Sequence, residues 1–226
     1  MKAQTRADLV QLAQDKLEDL QYLSHVSEQM RAAVDMACVV EGMILPVHSY
    51  VLMSASPVLS DIIASHFSGV IQGSSQSAVL SIPLIGTKEQ TAKEALQYVY
   101  TRCVFKASSP QKITSTQEAE RLANFAHKYN IQSMLEDADA VIHKMLSAGF
   151  KLYNTLKVKD KVEDAEAIID WAELADEVSL TKSLEHCEAW LVIIFKQYHK
   201  ALPKLLQLRQ EMIARIMQKV ADRLPH

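Results

Sequence analysis

The chain has 226 residues, a formal net charge of -3 and a pI near 6.2, long enough to bury a core without covalent staples. It has no basic excess and no dense Lys/Arg run, so it offers little field to a phosphate backbone and nucleic acid is not an expected partner. Its 3 cysteines, Cys38, Cys103 and Cys187, stand far apart among apolar residues; this excludes a disulfide framework and a CxxC metal knuckle and points to a reducing compartment.

With 5 Gly and 6 Pro in the whole chain, few positions can adopt positive φ, and helix should dominate. The first residues run straight into charged, helix-like sequence without the apolar stretch of a secretory signal, and the expectation is a soluble protein of the cytoplasm, with the nucleus also open to it. Over 6–30, Leu9, Leu12, Ala13, Leu17, Leu20 and Leu23 fall three or four apart among polar residues, the spacing of an amphipathic helix. That period breaks at Val34. Two short apolar runs, Val34 to Val40 and Met43 to Leu45, are split by Glu41-Gly42, which predicts a β-hairpin. Ser56-Pro57 supplies an N-cap and a first-turn proline for a short buried helix carrying Val58, Leu59, Ile62, Ile63 and Phe67. Ser68 to Ser77 is small and polar and reads as a loop, leading into a strand from Ala78 to Ile82. Thr87 with Gln90, and Ser115 with Glu118, have capping-box spacing and each should open a helix. The first of these helices buries Ala92, Leu96, Val99 and Tyr100, the second Leu122, Ala123, Phe125, Ala126 and Tyr129, with a short strand at Cys103 to Phe105 between them.

Beyond residue 131 the pattern is helical throughout, with breaks expected near Gly149, near Asp160 and at Pro203. Laying 122–146 on 171–195, a shift of 49 residues, aligns Ala123 with Ala172, Ala126 with Ala175, Leu135 with Leu184, Glu136 with Glu185 and Ala140 with Ala189. One helical hairpin is used twice. Two copies are fewer than a free-standing solenoid needs, so the second is read as an appendage.

No HExxH, Walker A, GxGxxG or GxSxG motif occurs. His186-Cys187 is an adjacent pair of potential ligands, but helix neighbours point about 100° apart and no second pair matches them. Carboxylates at Asp137/Asp139 and Asp160/Glu163/Asp164 read as solvated faces or helix caps. Trp171, Trp190, Tyr98, Tyr100, Phe125 and Phe195 stand at helical spacing, as core aromatics do. No catalytic residue, cofactor or metal is expected, and an enzyme would require a cleft that no motif announces.

The order of elements from Asp35 to Leu59 is distinctive: an Asp-led strand, the Glu41-Gly42 hairpin, Val47-His48-Ser49 at a helix start, Leu52, and Ser56-Pro57. It resembles the opening of the BTB/POZ fold. Leu96-Gln97-Tyr98-Val99-Tyr100-Thr101 is similar to that family's Leu-x-Tyr-x-Tyr-Thr element, and Leu122 to Leu135 to its helix pair. The echo over 167–195 resembles the BACK-like helical extension that follows many such domains. The resemblance implies an α+β, mostly helical chain: an N-terminal amphipathic helix over 1–32, a BTB/POZ domain over 33–147 and a BACK-like extension over 148–226. It further implies a protein-interaction scaffold that self-associates as a homodimer through its first strand and first helix. Many members are substrate adaptors of cullin-RING ubiquitin ligases, which would make a cullin and an unidentified protein substrate its partners; the alternative is an oligomerisation module with no ligase role.

Two departures bear on this. Ser49 stands where a basic residue commonly follows the family's His, so a charged pocket pairing Asp35 with that base is absent. Phe67 to Gln72 lacks the carboxylate of the hydrophobic-x-acidic element that cullin-binding members carry. Candidate dimer contacts are Leu9, Leu12, Val47, Tyr50 and Met53, with the last three read as the outer side of a short helix. Candidate partner-binding residues are His66, Phe67 and Tyr98. His48, at a strand-to-helix junction, reads as a hydrogen-bonded structural residue. The stripe Leu205, Leu208, Met212, Ile216 and Val220 is expected to pack on the preceding helices, not on a membrane.

Overall fold

A computed structural model describes residues 5–16, 18–24, 26–70, 79–103, 113–153, 160–197 and 202–222, without the side chains of 67–70, 103, 149–153, 160–165, 194–197 and 202. The chain divides into two compact units, the first Met1–Thr114 with Asn124–Met134, the second Ser115–Ala123 with Leu135–His226. The fold is α+β and mostly helical, with one small sheet.

In the first unit the region read as one helix is three: α1 (Arg6–Asp15), α2 (Gln21–Ser24) and α3 (Glu28–Arg31). Local caps open the first and the third. Thr5 and Asp8 close a capping box on α1, and the Ser27 hydroxyl accepts from Met30 N–H at 3.3 Å to start α3 anew. Helix α1 lays Leu9 and Ala13 against strands β1 (Met36–Val40) and β2 (Met43–Val47).

The predicted hairpin is present. Strands β1 and β2 pair antiparallel with Val40 opposite Met43, and the two turn residues both lie at positive φ, Glu41 at 48° and Gly42 at 86°, the geometry of a type I′ turn that matches strand twist. An added Cβ at Gly42 would meet nothing within 4 Å, so the cost of Gly42→Ala is backbone strain alone, about 1–2 kcal/mol. Urea unfolding should show that loss for Gly42→Ala and a smaller one for Gly42→Asn, since Asn tolerates left-handed backbone; equal losses would contradict the turn assignment. Strand β3 (Leu80–Pro83) joins the other side of β1 in parallel, giving the order β2-β1-β3. Pro46 and Pro83 both lie on edge strands, where a missing N–H is tolerated.

Helices α4 (Ser49–Ala55) and α5 (Pro57–Val70) connect β2 to β3. Ser56 caps α5 as its sequence predicts, accepting from Leu59 N–H at 2.9 Å while its hydroxyl donates to the Tyr129 carbonyl. Ser68 to Val70, read as the start of a loop, are the last residues of α5, and the remainder of that loop lies outside the described residues. Helix α6 (Glu89–Cys103) begins later than the Thr87/Gln90 box predicts. Its first N–H, on Glu89, is satisfied at 3.2 Å by the carboxylate of Glu41 from the hairpin turn, and the Thr87 hydroxyl instead bonds the Tyr129 phenol. Cys103 closes α6 in place of a strand; 104–112 lie outside the described residues.

Helices α7 (Thr116–Tyr129) and α8 (Gln132–Tyr153) follow, with Ser115 capping α7 through Glu118 N–H at 3.2 Å. Gly149, read as a break, lies inside α8, where a single glycine costs about 1 kcal/mol and does not stop a helix. The second unit adds α9 (Asp160–Glu177), α10 (Thr181–Gln197), α11 (Leu202–Leu205) and α12 (Gln210–Ala221). Its core gathers Ile169, Ala172, Cys187, Trp190, Leu191 and Val192 with the whole C-terminal stripe Leu205, Leu208, Met212, Ile216 and Val220. That stripe packs within the chain, as its spacing predicts.

The sequence echo is a structural one. Asn130 and Ser179, 49 residues apart, both adopt positive φ, 51° and 63°, and behind them Ile131 N–H bonds the Ala126 carbonyl and Leu180 N–H the Ala175 carbonyl, each at 2.8 Å. Both helix pairs therefore turn by the same six-to-one closure. The acids at the equivalent positions of α8 and α10, Asp139 and Glu188, are both buried. Asp139 accepts from the N–H groups of Lys182 and Ser183 and so caps α10; Glu188 takes Arg215 at 2.7 Å and Lys219 at 2.5 Å from α12.

Candidate interaction surface

The junction between β2 and α4 is built from buried polar groups that satisfy one another. His48 is fully buried, and its Nε2 lies 2.7 Å from the Met30 carbonyl, so that nitrogen carries the proton. Its Nδ1 then accepts from the Tyr100 hydroxyl at 2.8 Å, while the same hydroxyl oxygen accepts from His48 backbone N–H at 2.9 Å. Every donor meets an acceptor, which fits the structural role expected for this histidine. The ring of Tyr22 lies 5.3 Å from that of Tyr100, and its hydroxyl donates to the Pro46 carbonyl at 3.0 Å. Burial pushes both phenols well above the usual tyrosine range.

Asp35 occupies the place of an N-cap for α4. Its carboxylate accepts from Ser49 N–H at 2.7 Å and from the Ser49 hydroxyl at 2.5 Å. The serine thus replaces a charge pair by a neutral hydroxyl that completes the helix start. No sequence signal marked this cap except the position of Asp35 at the head of β1.

This network fixes the orientation of α4. Val51 and Leu52 turn into the core, while Tyr50 is 55% and Met53 38% exposed. The two stand three apart, one helical turn, and form a joint apolar patch. The other large apolar side chains exposed among the described residues, Ile85, Leu206 and Met217, lie on other elements.

Three candidates leave the surface. Val47 is the last residue of β2, opposite Met36, and strand alternation sends it inward to full burial; it does not belong to the outer side of a helix. Leu9 is fully buried beneath α1 on the chain's own sheet. Tyr98 is buried on α6 with its hydroxyl donating to the Ser133 carbonyl at 2.9 Å. Leu12 is partly exposed, His66 is exposed on α5, and the Phe67 side chain lies outside the described residues.

Two of the three cysteines are buried. Burial pushes the thiols of Cys38 and Cys187 up to about 12, which keeps both protonated at neutral pH and unsuited to nucleophilic attack. Among the described residues, no three His, Cys, Asp or Glu side chains cluster as metal ligands would, and no helix is long and apolar enough to cross a membrane.

Among the described residues the first unit is thus a three-stranded sheet flanked by helices, with Tyr50 and Met53 exposed on α4. Comparison with known families matches residues 25–146, more than half of the chain, to the BTB/POZ domain. The chain belongs to the BTB/POZ domain family, a family of protein–protein interaction modules. No curated protein matches it.

Proposed function

We propose that the chain is a self-associating scaffold whose two copies meet through the α4 face that carries Tyr50 and Met53. The single observation behind this reading is the exposure of those two large side chains on a helix whose inner side is anchored by the Asp35 cap and the His48–Tyr100 network. Exposed apolar area of this kind, presented by a rigid element, suits an isologous contact in which the same residues meet themselves. Leu12, partly exposed on α1, is a further candidate contact. A dimer would present two copies of any further binding surface at high effective concentration.

The finer role is that of a substrate adaptor in a cullin-RING ubiquitin ligase, with α9 and α10 as a BACK-like extension and action in the cytoplasm or nucleus. A module without a ligase link is the second reading, favoured by the lack of a carboxylate from Phe67 to Gln72. Two differently tagged copies should co-purify, and Tyr50→Asp combined with Met53→Asp should abolish that while leaving the thermal midpoint within a few degrees, because both side chains point outward. Undiminished co-purification would refute the α4 contact. Capture of a cullin by the unaltered chain would select the adaptor role, and failure of capture with self-association retained would select the plain scaffold.

A further inference from the structure

We propose that His186 on α10, whose ring meets that of His143 on α8, is an acid-sensitive latch in the helical unit, which holds α10 to α8 while the His186 ring is neutral and releases it when that ring takes up a proton. The rings meet edge to face, with centroids 5.2 Å apart and planes at 83°. The hydrogen bonds of His186 define its state. Trp190 Nε1–H donates to His186 Nε2 at 3.1 Å, so that nitrogen bears no proton, and the ring's remaining N–H bonds the backbone of Leu146 on α8. One imidazole thus joins a buried tryptophan of its own helix to the main chain of α8. A proton added at Nε2 would set one N–H against another and break the Trp190 bond.

The neighbouring His143 offers no compensating bond on its buried side, since its Nδ1 is buried and finds no hydrogen-bond partner among the described residues. Burial, and then the neighbouring His143, hold His186 below the ordinary histidine range.

On α8, Asp139 caps α10 while Glu136 and Lys144 are exposed, and the paired charges of α9 and α12 have partners other than the two histidines. Asp176 of α9 and Arg215 and Lys219 of α12 close around Arg209 and Glu188, and Asp170 of α9 pairs with Lys204. Glu173 and Glu177 of α9 and Glu211 of α12 are exposed. The titratable group in ring contact with His186 is His143. Because the folded state disfavours the protonated form, the latch contributes fully above the unfolded histidine value and is lost as pH falls through the lower folded one.

The test uses the full chain with its histidine and tryptophan nitrogens labelled, followed by NMR from about pH 8 to about pH 5, the window in which histidine titrates. His186 should titrate below the ordinary histidine range, and the Trp190 indole N–H resonance should shift with the same midpoint. In parallel, the thermal midpoint should fall on acidification, and His186→Gln should recover roughly 2–4 °C of that fall, because a glutamine amide can accept from Trp190 and donate to Leu146 without titrating. Histidines other than His143 contribute equally to both proteins and cancel in the comparison. An indole resonance that ignores His186 titration, or a full acid-induced fall retained in His186→Gln, would overturn the proposal. The unaltered chain decides by its indole resonance alone if the variant does not fold.

Discussion

Tyr100→Phe is expected to destabilise the BTB/POZ unit by about 2–5 kcal/mol, a large effect for the loss of one oxygen atom. That oxygen accepts from the His48 backbone N–H and donates to His48 Nδ1, at 2.9 and 2.8 Å, in a site closed to water. Removing it leaves two buried polar groups without partners, and each such group costs about 1–3 kcal/mol. The phenyl ring keeps its packing against Tyr22, so the loss is electrostatic and creates no cavity. In urea unfolding the midpoint should drop with the slope unchanged. A loss below about 0.5 kcal/mol, the range of ordinary surface substitutions, would mean that His48 is held by packing alone.

Asp139→Ala should cost the helical unit about 2–4 kcal/mol. The carboxylate accepts from Lys182 N–H at 2.9 Å, from Ser183 N–H at 3.0 Å and from the buried Ser183 hydroxyl at 2.6 Å. A lost N-cap alone costs about 0.5–2 kcal/mol, and the favourable placement of negative charge at the start of α10 goes with it. The Ser183 hydroxyl retains one fallback, the Asp139 carbonyl at 3.3 Å, which sets the upper bound. Asp139→Asn should lose about half as much, since one amide oxygen still accepts while the amide nitrogen opposes a backbone donor. Thermal unfolding of the three proteins side by side gives the order; an Asn variant as damaged as Ala would show that charge, not acceptor geometry, carries the cap.

Features whose cause is local are announced by the sequence. The hairpin was legible because apolar runs of strand length were interrupted by Glu41-Gly42, and Gly42 takes the positive φ that the turn requires. Ser56-Pro57 was legible for the same reason: cap and proline act locally. The doubled helical hairpin could be read from residue types at a fixed offset, and Asn130 and Ser179 show why that offset has meaning, since each ends its helix in left-handed backbone.

What the sequence concealed depends on tertiary partners. Apolar spacing in the N-terminal region fits one long helix as well as three short ones, and the Ser27 cap is what opens the third of them anew. Val47 shares a three-residue spacing with Tyr50 and Met53 and so reads as part of their helix face, yet strand pairing with Met36 extends through it. Leu9 and Tyr98 have the composition of contact residues but lie in the core, because α1 and α6 bury the faces that carry them. The Glu41 cap on α6 spans 48 residues of sequence, a separation at which no local pattern can reveal it. Tyr50 and Met53 remained outside, where their spacing places them.

The reading stands or falls on whether two copies of the chain associate. Light scattering of the full chain after gel filtration, across a hundredfold range of concentration, should return twice the 25.3 kDa chain mass, falling to the single mass for the Tyr50→Asp, Met53→Asp variant. A mass of 25.3 kDa for the unaltered chain at every concentration would contradict it.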